Sequence, residues 1–121
     1  MNYFINSILI INGIYDLLCS FSILFLSNPL SFIHINMFHP SIHSPIINRL
    51  LAYWILTYGS IRLISGLYPS NITYFISANT YIIEAFCYEY ELFINNLMLK
   101  NKIRFVSISS IIIFTQILSY L

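Results

Sequence analysis

The sequence predicts an all-α membrane protein, a single domain over residues 1–121 built as a bundle of four transmembrane helices. Its composition is the first observation: 59% of the residues are hydrophobic and 7% are charged, against about 25% charged residues in typical soluble domains. The second is that four apolar stretches approach or exceed the roughly 20 residues that a helix needs to cross the hydrocarbon core. Runs of this length without strand-like alternation favour helices, which satisfy every backbone group in lipid.

Turn residues separate the four predicted helices. The predicted spans are residues 3–26, 46–68, 72–99 and 103–121. Pro29 ends the first span, and Pro40 and Pro45 keep the chain irregular until the second begins. Pro69-Ser70-Asn71 forms a tight turn, so the second and third helices are expected to form a hairpin. The apolar residues 30–37 are expected to lie along the membrane interface.

Three charged residues stand near the middle of predicted spans, where an ionised side chain costs a few kcal/mol unless it is paired or functional. They are Asp16, Arg62 and Glu84. With a helical rise of 1.5 Å per residue, all three fall at similar depths, and an Arg side chain is long enough to cover the remaining offset. We therefore predict one intramembrane ion cluster that contains all three.

The second predicted helix carries a seam of small residues, Ala52, Gly59 and Gly66, spaced seven apart. Small residues at this spacing let a neighbouring helix approach closely. Arg62 follows Gly59 by three positions and so faces the same seam. Because the turn at residues 69–71 is tight, the third helix is the expected neighbour.

The remaining charges are expected at one membrane border. Three deep carboxylates in the third helix, each costing about 2.5–3.5 kcal/mol, would outweigh the gain from its apolar residues, so only Glu84 is expected to be deep. The predicted interfacial charge cluster comprises Arg49, Glu89, Glu91, Lys100, Lys102 and Arg104. By the positive-inside rule its basic members place this border in the cytoplasm.

The intramembrane charges are compatible with three kinds of site. They can be structural ion pairs that fix helix register, a proton- or ion-handling site built on a membrane carboxylate, or a catalytic acid. In the last case Glu84 would act in an aromatic pocket lined by Tyr81, Tyr88 and Trp54. Of the three interpretations, structural ion pairs require the fewest additional features of the sequence.

Other chemistry finds little support in the sequence. His39 and His43 are four residues apart, a metal-ligand spacing on a helix, but Pro40 allows a helix only to begin there, and His34 completes a set of three histidines. We expect interfacial loop histidines, with no metal and no cofactor. A net charge of +1 gives no reason to expect nucleic acid as a partner.

The second and third predicted helices resemble a known family over about residues 49–93. Arg49, Trp54 and Arg62 precede an Asn-x-Thr turn at residues 71–73, and Glu91-Leu92-Phe93 follows. This arrangement resembles the ergosterol-biosynthesis scaffold family, small four-span tethers of sterol C-4 demethylation. The resemblance implies a non-catalytic protein of the endoplasmic reticulum that tethers sterol-modifying enzymes.

The sequence therefore favours a multi-pass membrane scaffold whose partners are the lipid bilayer and membrane-bound enzymes or further copies of the chain. The alternative is a small ion- or proton-coupled transporter, or a pore-forming oligomer, that uses a mid-membrane carboxylate. A small lipid-modifying enzyme is the third hypothesis.

Overall fold

The computed structural model describes residues 2–26 and 28–121, and these residues form five α-helices. The helices are α1 (Tyr3–Phe25), α2 (Pro29–Ile33), α3 (Pro45–Leu67), α4 (Asn71–Phe93) and α5 (Lys100–Leu118). Two short 3₁₀ turns, Ile35–Met37 and Pro40–Ile42, lie between α2 and α3. We call residues 28–44, which join α1 to α3, the connector.

Polar side chains fix where the long helices begin. Asn2, Ser44 and Ser70 each accept a hydrogen bond from a backbone N–H in the first turn of α1, α3 and α4, which satisfies a group that has no partner within the helix. Pro45 occupies the first position of α3, where its missing N–H costs nothing. These signals explain why the predicted starts agree with the structure to within one residue for α1, α3 and α4.

The predicted third helix is too long at its carboxyl end. The helix stops at Phe93 rather than at residue 99, and Asn96 adopts a positive φ of 54°, a conformation that Asn tolerates better than most residues. The chain then pairs with the connector through an antiparallel bridge between Phe38 and Met98. As a result α5 begins three residues earlier than predicted, and the basic residues predicted at the membrane border, Lys100, Lys102 and Arg104, lie on its first turns.

Three of the helices, α1, α3 and α5, are long and apolar enough to cross a membrane. This is consistent with an integral membrane protein. The third predicted span corresponds to α4, which is as long as α3 but less apolar and is not among these three helices. The all-helical class is thus confirmed, whereas the described residues show three candidate spans and not four.

Helix α1 packs antiparallel along α3, and this contact is the most extensive in the molecule. Gly13 of α1 lies against Gly59 and Leu63 of α3, and Gly66 lies against Asn6 and Ile10. The expectation that the small-residue seam faces the next helix in the chain is therefore wrong. Gly13 supplies a matching small residue on α1, so the two backbones come into direct contact there.

The connector folds into the bundle instead of lying flat against it. Ser31, His34, Ile35 and Met37 are buried, while their neighbours Phe32 and Ile33 are exposed. The Ser31 hydroxyl donates to the carbonyl oxygen of Ser22 at 2.9 Å, which ties α2 to the end of α1. One side of the segment predicted to be interfacial is consequently part of the protein interior.

Candidate functional site

Arg62 stands at the centre of the bundle and binds residues of two other helices. Its Nη1 donates to Asp16 Oδ2 at 2.7 Å and to Asn12 Oδ1 at 2.9 Å, both on α1. On the α4 side its Nη2 donates to Glu84 Oε2, and its Nε donates to Thr80 Oγ1 at 3.0 Å. The structure thus brings the three predicted charges together in one cluster, with a salt bridge from Arg62 to each carboxylate.

Helix periodicity and glycine packing place these side chains. Arg62 follows Gly59 by three residues and Asp16 follows Gly13 by three, so both project from the seam between α1 and α3. On α4, Thr80 and Glu84 are four apart and share the face that meets Arg62. The charges therefore meet because the backbones of α1 and α3 approach closely on one side of Arg62, and α4 covers its other side.

Aromatic rings enclose the guanidinium. Its carbon lies 3.8 Å from the centre of the Tyr81 ring and 5.4 Å from that of Tyr58, distances at which a cation is attracted to the π face. The Tyr81 hydroxyl donates to Asn12 Oδ1 at 2.9 Å. Asn12 and Thr80 were not predicted as members of the cluster. Each precedes a predicted carboxylate by four residues, the spacing that would have identified them.

The cluster carries unequal charge. Arg62, Asp16 and Glu84 are only 2%, 5% and 8% exposed. When both carboxylates are ionised, two negative charges face one positive charge, and a buried net charge is strongly unfavourable. Either one proton or one further cation is needed to balance the cluster.

A cavity of about 520 Å³ opens beside the cluster. It lies between α1 and α5 and is covered by the connector, and Asp16, Arg62 and Glu84 belong to its wall. The wall formed by α5 and the connector includes the apolar residues Phe32, Phe105 and Ile113, together with polar residues and the cation Lys102. Volumes of this order are typical of sites for small molecules.

His34 of the connector also lines this cavity. The residue is 6% exposed, and its Nδ1 is buried without a hydrogen-bond partner among the described residues. Burial, assisted by the positive charge of Arg62, lowers the pKa of His34 to about 4. The imidazole is therefore neutral near pH 7 and keeps one nitrogen as an acceptor.

The other two histidines are exposed residues of the connector. The Nδ1 of His39 lies 2.8 Å from the Ser41 hydroxyl and accepts the Ser41 N–H, and His43 Nε2 lies 3.3 Å from the carbonyl oxygen of Phe38. Within the described residues no three His, Cys, Asp or Glu side chains are grouped in a way that would hold a metal ion.

The residues of the predicted interfacial charge cluster all map to the end of the bundle where the connector lies. Arg49 stands in the second turn of α3, Glu89 and Glu91 near the end of α4, and the remaining three on the first turns of α5. The structure does not pair them with one another in the region it describes. Glu91 accepts from Asn95 at 2.8 Å, and Arg104 lies over the ring of Phe93 at 5.5 Å.

Trp54 and Tyr88, expected to line a catalytic pocket, pack against each other instead. Their rings meet edge to face with centres 5.4 Å apart, in an apolar group with Met37 and Ile103. Of the three aromatic residues considered for that pocket, Tyr81 is the one that lines the cavity beside Glu84.

Comparison of the chain with protein-family models, with curated protein sequences and with solved structures gave no significant match.

Proposed function

We propose that the chain is a non-catalytic, multi-pass membrane scaffold that holds membrane-bound enzymes together. One observation carries this proposal: all four hydrogen bonds from Arg62 go to α1 and α4, so the deep charges join three helices to one another. A charge set used in this way stabilises a defined bundle. A scaffold needs such a bundle and needs no reactive group.

The scaffold is proposed to cross the membrane four times, with α4 as the additional span. The polar residues Ser77, Thr80 and Glu84 of α4 are buried inside the bundle. Its outer face exposes Ile72, Phe75, Ile76, Ile83 and Phe86. A helix with this division has an apolar surface toward lipid, although its sequence contains three glutamates.

The proposed partners are sterol-modifying enzymes of the endoplasmic reticulum, and the resemblance over residues 49–93 supports this class. Arg49 is exposed at the connector end of the bundle, where a partner can reach it. Purification of the tagged chain in mild detergent is expected to recover enzymes of sterol C-4 demethylation. The Arg49→Glu variant should recover at least five times less of them, whereas Tyr53→Phe, a change at an exposed residue one turn away, should recover the wild-type amount. Recovery of none of these enzymes with the wild-type chain would contradict the partner class.

A second candidate is proton- or ion-coupled transport, favoured by the surplus carboxylate at the wall of the cavity. Purified chain in sealed liposomes would then carry protons or cations, and Glu84→Gln would abolish the flux because it removes the surplus charge. Glu91→Gln, the same change on the same helix outside the cavity, is the control. Flux that is equal in empty liposomes and in liposomes with the protein would exclude transport.

A further inference from the structure

The cavity beside the Arg62 cluster combines three features that together specify a ligand. The first is charge: when both carboxylates are ionised, Asp16 and Glu84 exceed Arg62 by one negative charge. Lys102 of α5 also lines the cavity, but in the described part of the chain it forms no salt bridge with either carboxylate. The carboxylates contribute Oδ2 and Oε2 to the bonds with Arg62, and their second oxygens accept no hydrogen bond in the described part of the chain. A positively charged donor would balance both the charge and the free acceptors.

The second feature is the unpartnered Nδ1 of His34. The residue is more than nine-tenths buried, lines the same cavity and leaves Nδ1 without a partner among the described residues. A buried polar atom without a hydrogen bond is destabilising. This atom belongs to the connector and not to the ion cluster. In the tautomer that carries its proton on Nε2, Nδ1 is an acceptor that a hydrogen-bond donor in the cavity would satisfy.

The third feature is the apolar wall opposite the charges. Phe32 of the connector and Phe105 and Ile113 of α5 lie on the cavity, and the first two are also exposed on the outside of the bundle. A ligand whose polar end reached the carboxylates would extend its remaining part along these side chains toward the lipid.

We infer that this cavity binds an amphiphile with a primary ammonium head group and an apolar tail. An ammonium group supplies one positive charge and three N–H donors, which match the surplus charge and the acceptors on Asp16, Glu84 and His34. An anionic head group is disfavoured, because Arg62 already binds both carboxylates and the cluster has surplus negative charge. This inference does not depend on the scaffold function.

Dodecylamine is a suitable probe, with dodecanol, dodecyltrimethylammonium and dodecyl phosphate as matched compounds of equal chain length. Native mass spectrometry of the full chain, released from an uncharged detergent, counts the molecules bound. We expect one saturable dodecylamine per chain and at least tenfold weaker binding of the other three. Equal binding of dodecanol would overturn the role of charge, equal binding of dodecyltrimethylammonium would overturn the role of the N–H donors, and preferred binding of dodecyl phosphate would overturn the class of ligand.

Variants locate the site. Ser109→Phe places a ring at the cavity wall and should reduce dodecylamine binding at least tenfold, whereas Ile111→Phe, at an exposed position on the same helix, should not change it. Glu84→Gln should likewise reduce dodecylamine binding at least tenfold. Its control, Glu91→Gln, should leave the binding unchanged. His34→Phe lies outside the ion cluster and remains informative if Glu84→Gln does not fold; it should weaken binding several-fold. Unchanged binding in Ser109→Phe or in His34→Phe would overturn the assignment.

Discussion

Gly13 of α1 and Gly59 of α3 lie in direct backbone contact. A Cβ atom added to Gly13 would stand 2.9 Å from the carbonyl oxygen of Gly59 and 2.6 Å from the backbone nitrogen of Leu63. Neither atom belongs to a flexible side chain, so the helices themselves would have to separate. The glycine pair thus sets the distance between α1 and α3, and through it the position of Asp16 next to Arg62.

We therefore predict that Gly13→Ala destabilises the protein although Ala is the better helix former. Overpacking of this kind typically costs about 1–3 kcal/mol, against a propensity gain of up to about 1 kcal/mol. Thermal unfolding in detergent measures the difference. Ser7→Ala, at an exposed position of the same helix, is the control and should leave the midpoint unchanged. An unchanged midpoint in Gly13→Ala would show that the helices can move apart freely.

Removal of the central cation should be more harmful than removal of the whole cluster. Arg62→Met leaves two carboxylates buried without their partner, and breaking a buried pair typically costs about 3–5 kcal/mol. The triple variant Asp16→Leu, Arg62→Met, Glu84→Leu removes all three charges, so its stability should return to within about 2 kcal/mol of wild type. Unfolding midpoints of both variants test this.

An exposed cation provides the matched control for Arg62→Met. Arg49→Met changes the same residue type on the same helix but at an exposed position, where the loss of a charge is worth about 0–1 kcal/mol. Equal stability losses in Arg62→Met and Arg49→Met would contradict the structural role of the cluster.

His34 should make the protein less stable in mild acid. Its pKa is about 4 in the folded protein and 6.5 ordinarily, so below pH 6.5 the unfolded chain takes up a proton that the folded chain refuses. The free energy of unfolding therefore falls as the pH is lowered from about 6.5 to 4, by up to about 3 kcal/mol. His34→Asn should reduce this dependence, measured as the unfolding midpoint at several pH values.

Other titratable groups near His34 make a control necessary. Tyr15 packs against its ring with centres 6.1 Å apart, and four charged residues line the same cavity: Asp16, Arg62, Glu84 and Lys102. Because these groups are present in wild type and variant alike, the difference between the two pH profiles isolates His34. His43→Asn, at an exposed connector position, should retain the wild-type profile. Identical profiles for His34→Asn and wild type would refute the prediction.

The three charged members of the ion cluster were predictable because their positions follow from local periodicity. Depth along a helix and the three-residue step from Gly59 to Arg62 are both properties of the sequence, and the structure brings Asp16, Arg62 and Glu84 together as expected. The identity of the neighbouring helix was not predictable in this way. The turn suggested α4, but the choice was decided by Gly13, a single small residue on α1 whose fit to Gly59 is a tertiary property.

The end of α4 and the path of the connector were also not predictable from local periodicity. Residues 94–99 have no Pro or Gly to stop a helix, and they leave it in order to pair with residues 37–39 of the connector, which are far away in sequence. His34 is buried by that same folding of the connector. The cavity could not be predicted because its walls come from α1, α5 and the connector, which only these long-range contacts bring together.

The proposed fourth crossing predicts on which side of the membrane each turn is labelled. Tyr68, in the turn between α3 and α4, is exposed, as are Ser41 in the connector and Asn95 after α4. In a Cys19→Ala, Cys87→Ala background, Ser41→Cys and Asn95→Cys should react with an impermeant maleimide from one side of sealed vesicles, and Tyr68→Cys from the other. Detergent should make all three reactive, which controls for local shielding. Labelling of Tyr68→Cys and Asn95→Cys from the same side would mean that α4 does not cross the membrane. Its buried Glu84 would then have to reach Arg62 from a helix that stays on one side of the membrane.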